Sequence, residues 1–309
     1  MKFPTLPRAA WLSAATALLT LYATAPAGAA DGWQRVGTDT RSGVSGIAYE
    51  SRTGSGAGID ALVVHDNKKS GLPHLSRLTH SAGSADVAPL TWDGPEPVDL
   101  EAVEAVPGKP GEYMALAGRG IAYHLKVAGS TATVVDYTPL PAIGEGDDFE
   151  SFALVHRDGQ LAALWADRGA GTGRAATLYA APLSFAPWGE AKFGTVTRQT
   201  YRAPYPTDTG TRHISDISVT DSGRILVSSA SDAGDDGPFN SAVSAAGWAT
   251  ASAEGGVRVV LSPRPTVLGR FPHYKIEAVE CLPGTADALL GTDDENVGGY
   301  VRTLPFCGI

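Results

Sequence analysis

Five related tetrapeptides, spread along most of the chain, constrain its fold more than any other feature. They are "VSGI" at Val44, "LEAV" at Leu100, "FESF" at Phe149, "ISDI" at Ile214 and "IEAV" at Ile276. Each reads apolar residue, Ser or Glu, small or acidic residue, apolar residue. The second positions, Ser45, Glu101, Glu150, Ser215 and Glu277, are 49 to 65 residues apart. A unit of that length is one supersecondary module that cannot bury its apolar face alone and must stack on its neighbours.

Short apolar runs lie between these openings, among them "ALVVHD", "YMALAG", "TATVVDYT", "RILVSSA" and "VRVVLS", each bounded by Gly, Pro or Asp. After the first thirty residues no long stretch keeps a 3.6-residue apolar period, so the runs read as strands. In the last unit "IEAVECL", "DALLGT" and "YVRTL" are separated by "PGTA" and "DDENVGG", which is strand, turn, strand, loop, strand. Earlier units add an outer strand. The expected fold is all-β: a five-bladed β-propeller with four-stranded blades, forming a single domain over residues 30–309. The last unit lacks an outer strand, while "WQRVGT" near Trp33 has nowhere else to pair. That segment is expected to close the ring as the missing strand, leaving no open sheet edge.

Residues 1–29 carry Lys2 and Arg8, then an apolar run, then the small-residue site Ala27-Gly28-Ala29. This is the pattern of a signal peptide cleaved near Ala29, and it implies a secreted protein, expected as a monomer without membrane insertion. The net charge is −9, and loss of Lys2 and Arg8 makes it −11, which argues against a nucleic-acid polymer as partner. The only two cysteines, Cys281 and Cys307, are expected to pair in an oxidising compartment, a link worth roughly 3–4 kcal/mol.

In a propeller the first strand of each unit is innermost, so Ser45, Glu101, Glu150, Ser215 and Glu277 should surround one axis at one height. Three converging carboxylates repel one another and lose water. They must take up protons or share a cation, unless they simply line a hydrated channel. An all-oxygen set without nearby His or Cys favours Ca²⁺. The order Ser, Glu, Glu, Ser, Glu resembles the calcium-activated nucleotidases, or animal apyrases, which are secreted five-bladed propellers with a central Ca²⁺. The resemblance implies one calcium ligand per blade at these five positions. In that family an Asp-Asp-Arg-Thr-Gly type loop follows the second strand of the first blade; here "HDNKKSG" keeps Asp66 and offers Lys68 and Lys69 in place of the arginine.

Propeller connectivity gathers the second-to-third-strand loops and the connections between blades at the metal end of the channel. There they should bring together Asp66, Lys69, Arg119, Asp167, Arg168, Arg212, His213, Tyr274, Asp293 and Glu295. The expected catalytic residues are Asp66, Asp293 and Arg168, and Lys69, Arg119, Arg212, His213, Tyr274 and Glu295 are expected to bind substrate. The leading expectation is a Ca²⁺-dependent hydrolase of phosphoanhydrides or phosphoesters acting on a small anionic substrate. The alternatives are a glycoside- or lactone-acting enzyme using two carboxylates, or a non-enzymatic extracellular binding module. Any single Asp could instead serve a turn, and His213 could be a packed residue. "DAGDDG" at Asp232 resembles a calcium loop loosely, with acids at its first, fourth and fifth positions. No Gly-x-Ser-x-Gly, His-Glu-x-x-His, phosphate-loop or Cys-x-x-Cys pattern is present, which removes the usual support for serine hydrolase, zinc protease and nucleotide-loop chemistry.

Overall fold

The computed structural model of the chain describes residues 1, 32–53, 58–231, 234–252 and 256–308. The expected signal peptide, Met1 apart, and Asp232 of the "DAGDDG" segment lie outside the described residues.

The described strands begin with β1 (Gln34–Arg35). Blade I is β2 (Gly46–Thr53), β3 (Gly58–Val64), β4 (Leu75–Ser81) and β5 (Ser84–Pro89). After β6 (Thr91–Asp93), blade II is β7 (Leu100–Ala105), β8 (Glu112–Ala117), β9 (Ile121–Ala128) and β10 (Thr131–Pro139). Blade III is β11 (Phe149–Arg157), β12 (Gln160–Asp167), β13 (Ala176–Phe185), β14 (Ala191–Phe193) and β15 (Thr197–Tyr201). Blade IV is β16 (Thr211–Val219), β17 (Arg224–Ser231), β18 (Asn240–Ala251) and β19 (Val257–Pro272). Blade V is β20 (Ile276–Cys281), β21 (Ala288–Thr292) and β22 (Tyr300–Leu304). A single 3-10 turn, Glu295–Val297, interrupts the strands, and no α-helix occurs among the described residues.

Five blades in a ring match the expectation, and β1 closes the ring as expected: Gln34 pairs with Val301 and Arg35 with Tyr300, on the outer edge of blade V. Two blades depart from four strands. In blade II, β6 adds in parallel outside β10. In blade III, β13 is long enough that its outer edge is shared, its C-terminal half by β14 and its N-terminal half by β15. Both additions cover backbone groups that an outer edge would otherwise leave unpaired.

The apolar core is five layers, one at each seam between blades. Ala48, Leu62 and Val64 of blade I meet Leu100, Tyr113 and Leu125 of blade II. Met114 and Leu116 of blade II meet Phe149, Phe152 and Trp165 of blade III, and Leu164 and Leu178 of blade III meet Ile217 and Val227 of blade IV. Leu226, Val243 and Phe271 of blade IV meet Val279 and Leu290 of blade V, and Leu289 and Val301 of blade V meet Ile47 and Val63 of blade I. Blades converge toward the axis, so the inner strands approach closely: a side chain at Gly46 of β2 would come within 2.8 Å of the Ala102 backbone in β7.

Inner strands are also clasped by polar side chains away from the predicted metal end. The Glu280 carboxylate accepts the Tyr49 N–H (2.8 Å), Asp216 accepts the Val279 N–H (2.7 Å), and the Ser218 hydroxyl accepts the Cys281 N–H (3.2 Å). Glu104 likewise accepts the Leu154 N–H. At the same end a disulfide joins Cys281 to Cys307 with a Cα separation of 5.7 Å, fastening the chain beyond β22 to the innermost strand of its own blade. Among the described residues, no helix is long and apolar enough to cross a membrane.

Candidate functional site

The innermost strands begin at one mouth of the axial channel, and there the carboxyl groups gather. Glu150 and Glu277 are each only 4 % exposed. A single guanidinium nitrogen, Arg212 Nη1, donates to both, at 3.3 Å from Glu150 Oε2 and 3.0 Å from Glu277 Oε1. Arg168 holds the other Glu150 oxygen at 3.0 Å and Asp148 at 3.1 Å. Lys275, a lysine with 1 % exposure, places its ammonium 3.0 Å from Glu277 and pairs with Glu295. Lysine is rarely buried this deeply unless paired, and the flanking acids raise its proton affinity against the cost of burial.

Glu101 and Asp66 are among the carboxyls at this mouth that have no direct cationic partner among the described residues. Glu101 keeps some solvent contact at the channel wall but is enclosed by protein; loss of water, then the charges of Glu150 and Asp99, holds its pKa well above the ordinary carboxylate value. Asp66 is raised by loss of water and by Glu277, with Lys68 opposing. Asp293 is raised well above its usual value by burial, then by Glu277 and Asp66. Glu150 is pushed up to about 7 by burial, with Arg212 restraining the shift. Asp294 reaches about 7 by burial while accepting the Lys275 N–H at 2.6 Å. Groups that repel each other and sit out of water hold their protons more tightly, and Glu150 and Asp294 do so near neutrality, the condition under which a carboxyl can donate one.

The sequence folds locally to hold this arrangement. Lys275 stands just before β20, which opens with Ile276-Glu277: Ile276 packs into the seam, and the residues on either side of it turn toward the mouth. Asp293 lies directly over Gly43, where a methyl group would stand 2.3 Å from its Oδ1. Gly43 is fixed in turn by the buried ring of His65, which donates to the Gly43 carbonyl at 2.6 Å and accepts from Ser76. Gly118 plays the same spacing role between Asp99, Asp148 and Glu101, each within 3.5 Å of where its Cβ would be.

The expected site residues divide into those the structure gathers and those it does not. Asp66, Glu101, Glu150, Arg168, Arg212, Glu277, Asp293 and Glu295 share the mouth. Ser45 and Ser215 are 1 % exposed, and neither hydroxyl has a hydrogen-bond partner among the described residues. Lys69 and Arg119 are exposed on the surface, and among the described residues neither side chain joins the network; Lys68 pairs with Asp99 at 3.2 Å. His213 is buried: its Nδ1 accepts the Ala203 N–H, its Nε2 donates to the Gly171 carbonyl, and burial lowers its pKa. Tyr274 stacks on Trp33 at 4.5 Å and meets Tyr300 edge-on. Asp167 is fully buried and serves its own loop, accepting from the Asp148 and Gly169 N–H groups and from Arg174. Sequence reasoning missed Lys275, Asp294, Asp99 and Asp148. The missing signal was the residue two places before each inner Ser or Glu, which reads Gly43, Asp99, Asp148, His213 and Lys275.

The donor set fits a calcium ion only in part. Two of the three expected glutamate ligands already have guanidinium or ammonium partners, and among the described residues no group of three or more His, Cys, Asp or Glu is arranged to hold a metal. The unpartnered Ser45 and Ser215 hydroxyls and Glu101 are the members with coordination to spare.

No family model matches the chain, and no curated protein matches it. Among solved structures it is similar to an α-L-arabinofuranosidase from Podospora anserina in complex with cellotriose (11 % identity, 89 % of this chain and 98 % of that one, TM-score 0.49). It is also similar to a GH43 endo-arabinanase from Bacillus licheniformis (11 %, 88 % and 95 %, 0.47) and to a GH43 β-1,3-galactosidase with galactodeoxynojirimycin (9 %, 85 % and 90 %, 0.46). These likenesses carry no substrate or mechanism to this chain. They are nonetheless glycosidases, and they correct the expected resemblance to calcium-activated nucleotidases together with the phosphohydrolase reading built on it. The geometry agrees with the correction. A phosphoryl group needs uncommitted cations, whereas Arg168, Arg212 and Lys275 are spent on glutamates, and Lys69 and Arg119 stay outside the network.

Proposed function

We propose that the chain is a glycoside-acting hydrolase whose axial mouth receives a neutral sugar. One observation carries the reading: two buried carboxyls joined through a single arginine nitrogen have unlike surroundings. Besides the shared Arg212, Glu277 pairs with the buried Lys275, whereas the second cation of Glu150 is the half-buried Arg168, divided between it and Asp148, and burial pushes Glu150 up to about 7. Carboxyl pairs held in contrasting environments are the means by which glycosidic bonds are cleaved.

In this reading Glu150 donates its proton to the departing glycosidic oxygen. Asp66, half-buried and without a direct cationic partner among the described residues, acts from the other side as base or nucleophile. Arg168 and Arg212 hold Glu150 in place, and Glu277, with Lys275, keeps a fixed charge beside the developing positive charge on the sugar ring. An acidic cluster with committed cations disfavours an anionic substrate, so a neutral sugar replaces the anionic one first expected. A calcium ion ligated by Ser45, Ser215 and Glu101 is a further part of the proposal, supported by those unpartnered hydroxyls; it would brace the channel, and no chemical step is assigned to it. Export is supported by the leader pattern and by the disulfide.

The test is release of 4-nitrophenol and of reducing ends from a panel of aryl arabinosides, xylosides and galactosides and their hexasaccharides. Glu150→Gln and Asp66→Asn should each lower turnover by at least about 100-fold. Full activity in both variants would sink the assignment. Melting temperature in Ca²⁺ against EDTA, in wild type and Glu101→Gln, tests the ion separately; an equal response in both proteins removes it.

A further inference from the structure

The outer wall of blade III carries a polar groove of about 760 Å3, lined by Asp147, Thr177, Tyr179, Arg198 and Thr200 among others. In the ladder between β13 and β15, Thr177 stands opposite Thr200 and Tyr179 opposite Arg198. Residues two apart on a strand share a face, so these four side chains line one surface. The connection from β10 to β11 walls the other side. There Asp147 Oδ2 accepts the Tyr179 hydroxyl at 2.8 Å and the Gly144 N–H at 2.7 Å, while its Oδ1 has no partner among the described residues. Arg198 has no ion-pair or hydrogen-bond partner there, and neither do the Thr177 and Thr200 side chains.

We infer that this groove binds further sugar units of an extended, uncharged oligosaccharide whose scissile end lies at Glu150; the inference rests on the glycoside-hydrolase reading above. Continuity is the first ground. Asp147 in the groove wall is followed at once by Asp148, which pairs with Arg168 at 3.1 Å, and Arg168 pairs with Glu150 at 3.0 Å. One loop therefore forms the wall of both the groove and the axial site. Chemistry is the second. The groove offers a free carboxylate oxygen, a free guanidinium and two hydroxyls side by side. An anion would face Asp147 and a cation would face Arg198, but the vicinal hydroxyls of a neutral sugar both donate and accept and can satisfy all four. Tyr179 is buried, so recognition here is by hydrogen bonds along the groove and not by stacking on a ring.

The experiment compares kcat/KM on the 4-nitrophenyl glycoside and on the hexasaccharide of whichever panel sugar is cleaved, in wild type, Thr200→Trp and Arg198→Ala. The bulky tryptophan should block the groove and the alanine should remove its donor. In each variant the hexasaccharide-to-aryl-glycoside ratio is expected to fall by about tenfold, mainly through KM. An unchanged ratio in an enzyme whose turnover still depends on Glu150 overturns the groove and leaves the hydrolase reading standing. If no panel member is cleaved, calorimetry with arabino-, xylo- and galactohexaose decides the matter. Binding weakened in Thr200→Trp keeps the groove and rejects hydrolysis; no binding to any of them rejects both.

Discussion

Replacing Arg212 with methionine removes the one cation shared by Glu150 and Glu277 while keeping a side chain of similar length. A unit charge about 4 Å from a carboxylate is worth about 4 kcal/mol at an effective dielectric of 20, or nearly three pKa units if it acted on Glu150 alone. Arg212 divides its attraction between two carboxylates, and Arg168 remains on Glu150. The expected rise is therefore about one to two units above the present value of about 7. Infrared titration of the protonated-carboxyl band should find it, with Arg212→Met/Glu150→Gln subtracted so that the difference belongs to Glu150. If Glu150 is the proton donor, the alkaline limb of kcat/KM must move upward by the same interval, because the acid stays protonated to higher pH. A Glu150 signal that titrates at the original pH or lower would refute the electrostatic account, whatever the activity shows.

Burial pushes Glu280 up to about 8 and raises Glu104, Asp216 and Asp293 well above their usual values, so the folded protein holds more protons than the unfolded chain and loses stability as pH rises through the folded values. The lowered pKa values of His65, His80 and His213 act the opposite way below about pH 6.5; between pH 7 and 9 the melting temperature should therefore fall by about 5 °C or more, and a level or rising curve would contradict this. Gly43→Ala places a methyl group on the Asp293 carboxylate and should cost about 1–3 kcal/mol in denaturant titration and most of the turnover. Cys281→Ser/Cys307→Ser opens a 26-residue link, for which a loss of about 3–4 kcal/mol is expected from the shift in urea midpoint.

The period of the repeat was legible because every inner strand must place an apolar residue in a seam and a polar one at the axis, which leaves the same four-letter pattern five times. β6, β14 and β15 were not legible: they are three to five residues long and are recruited by edges that only exist once the blades have formed. At the site, the ring of Ser45, Glu101, Glu150, Ser215 and Glu277 shows that negative charge converges but not what neutralises it. Arg168 arrives from the connection after β12, Arg212 from the start of β16, and Lys275 precedes an inner strand where a charged residue is normally taken to be solvated. A carboxylate set that suits a metal ion on paper suits an arginine equally well, and here the second partner holds Glu150 and Glu277. Lys69 and Arg119 were placed at the correct end of the molecule, but position on a loop does not fix the direction of a long side chain.

The ring is closed by two residue pairs, Gln34 with Val301 and Arg35 with Tyr300, which join almost opposite ends of the described chain. Closure of so long a loop is entropically late, and contacts this distant in sequence slow folding. Until β22 arrives, blade V is a two-stranded fragment, and the seams on its two sides are incomplete, lacking Val301 against blade I and Tyr300 and Leu304 against blade IV. A chain interrupted before Tyr300 is thus expected to be a sticky open crescent and not a smaller propeller. The order of assembly, and with it the exposure to aggregation, is governed by the last strand made and the first one waiting for it.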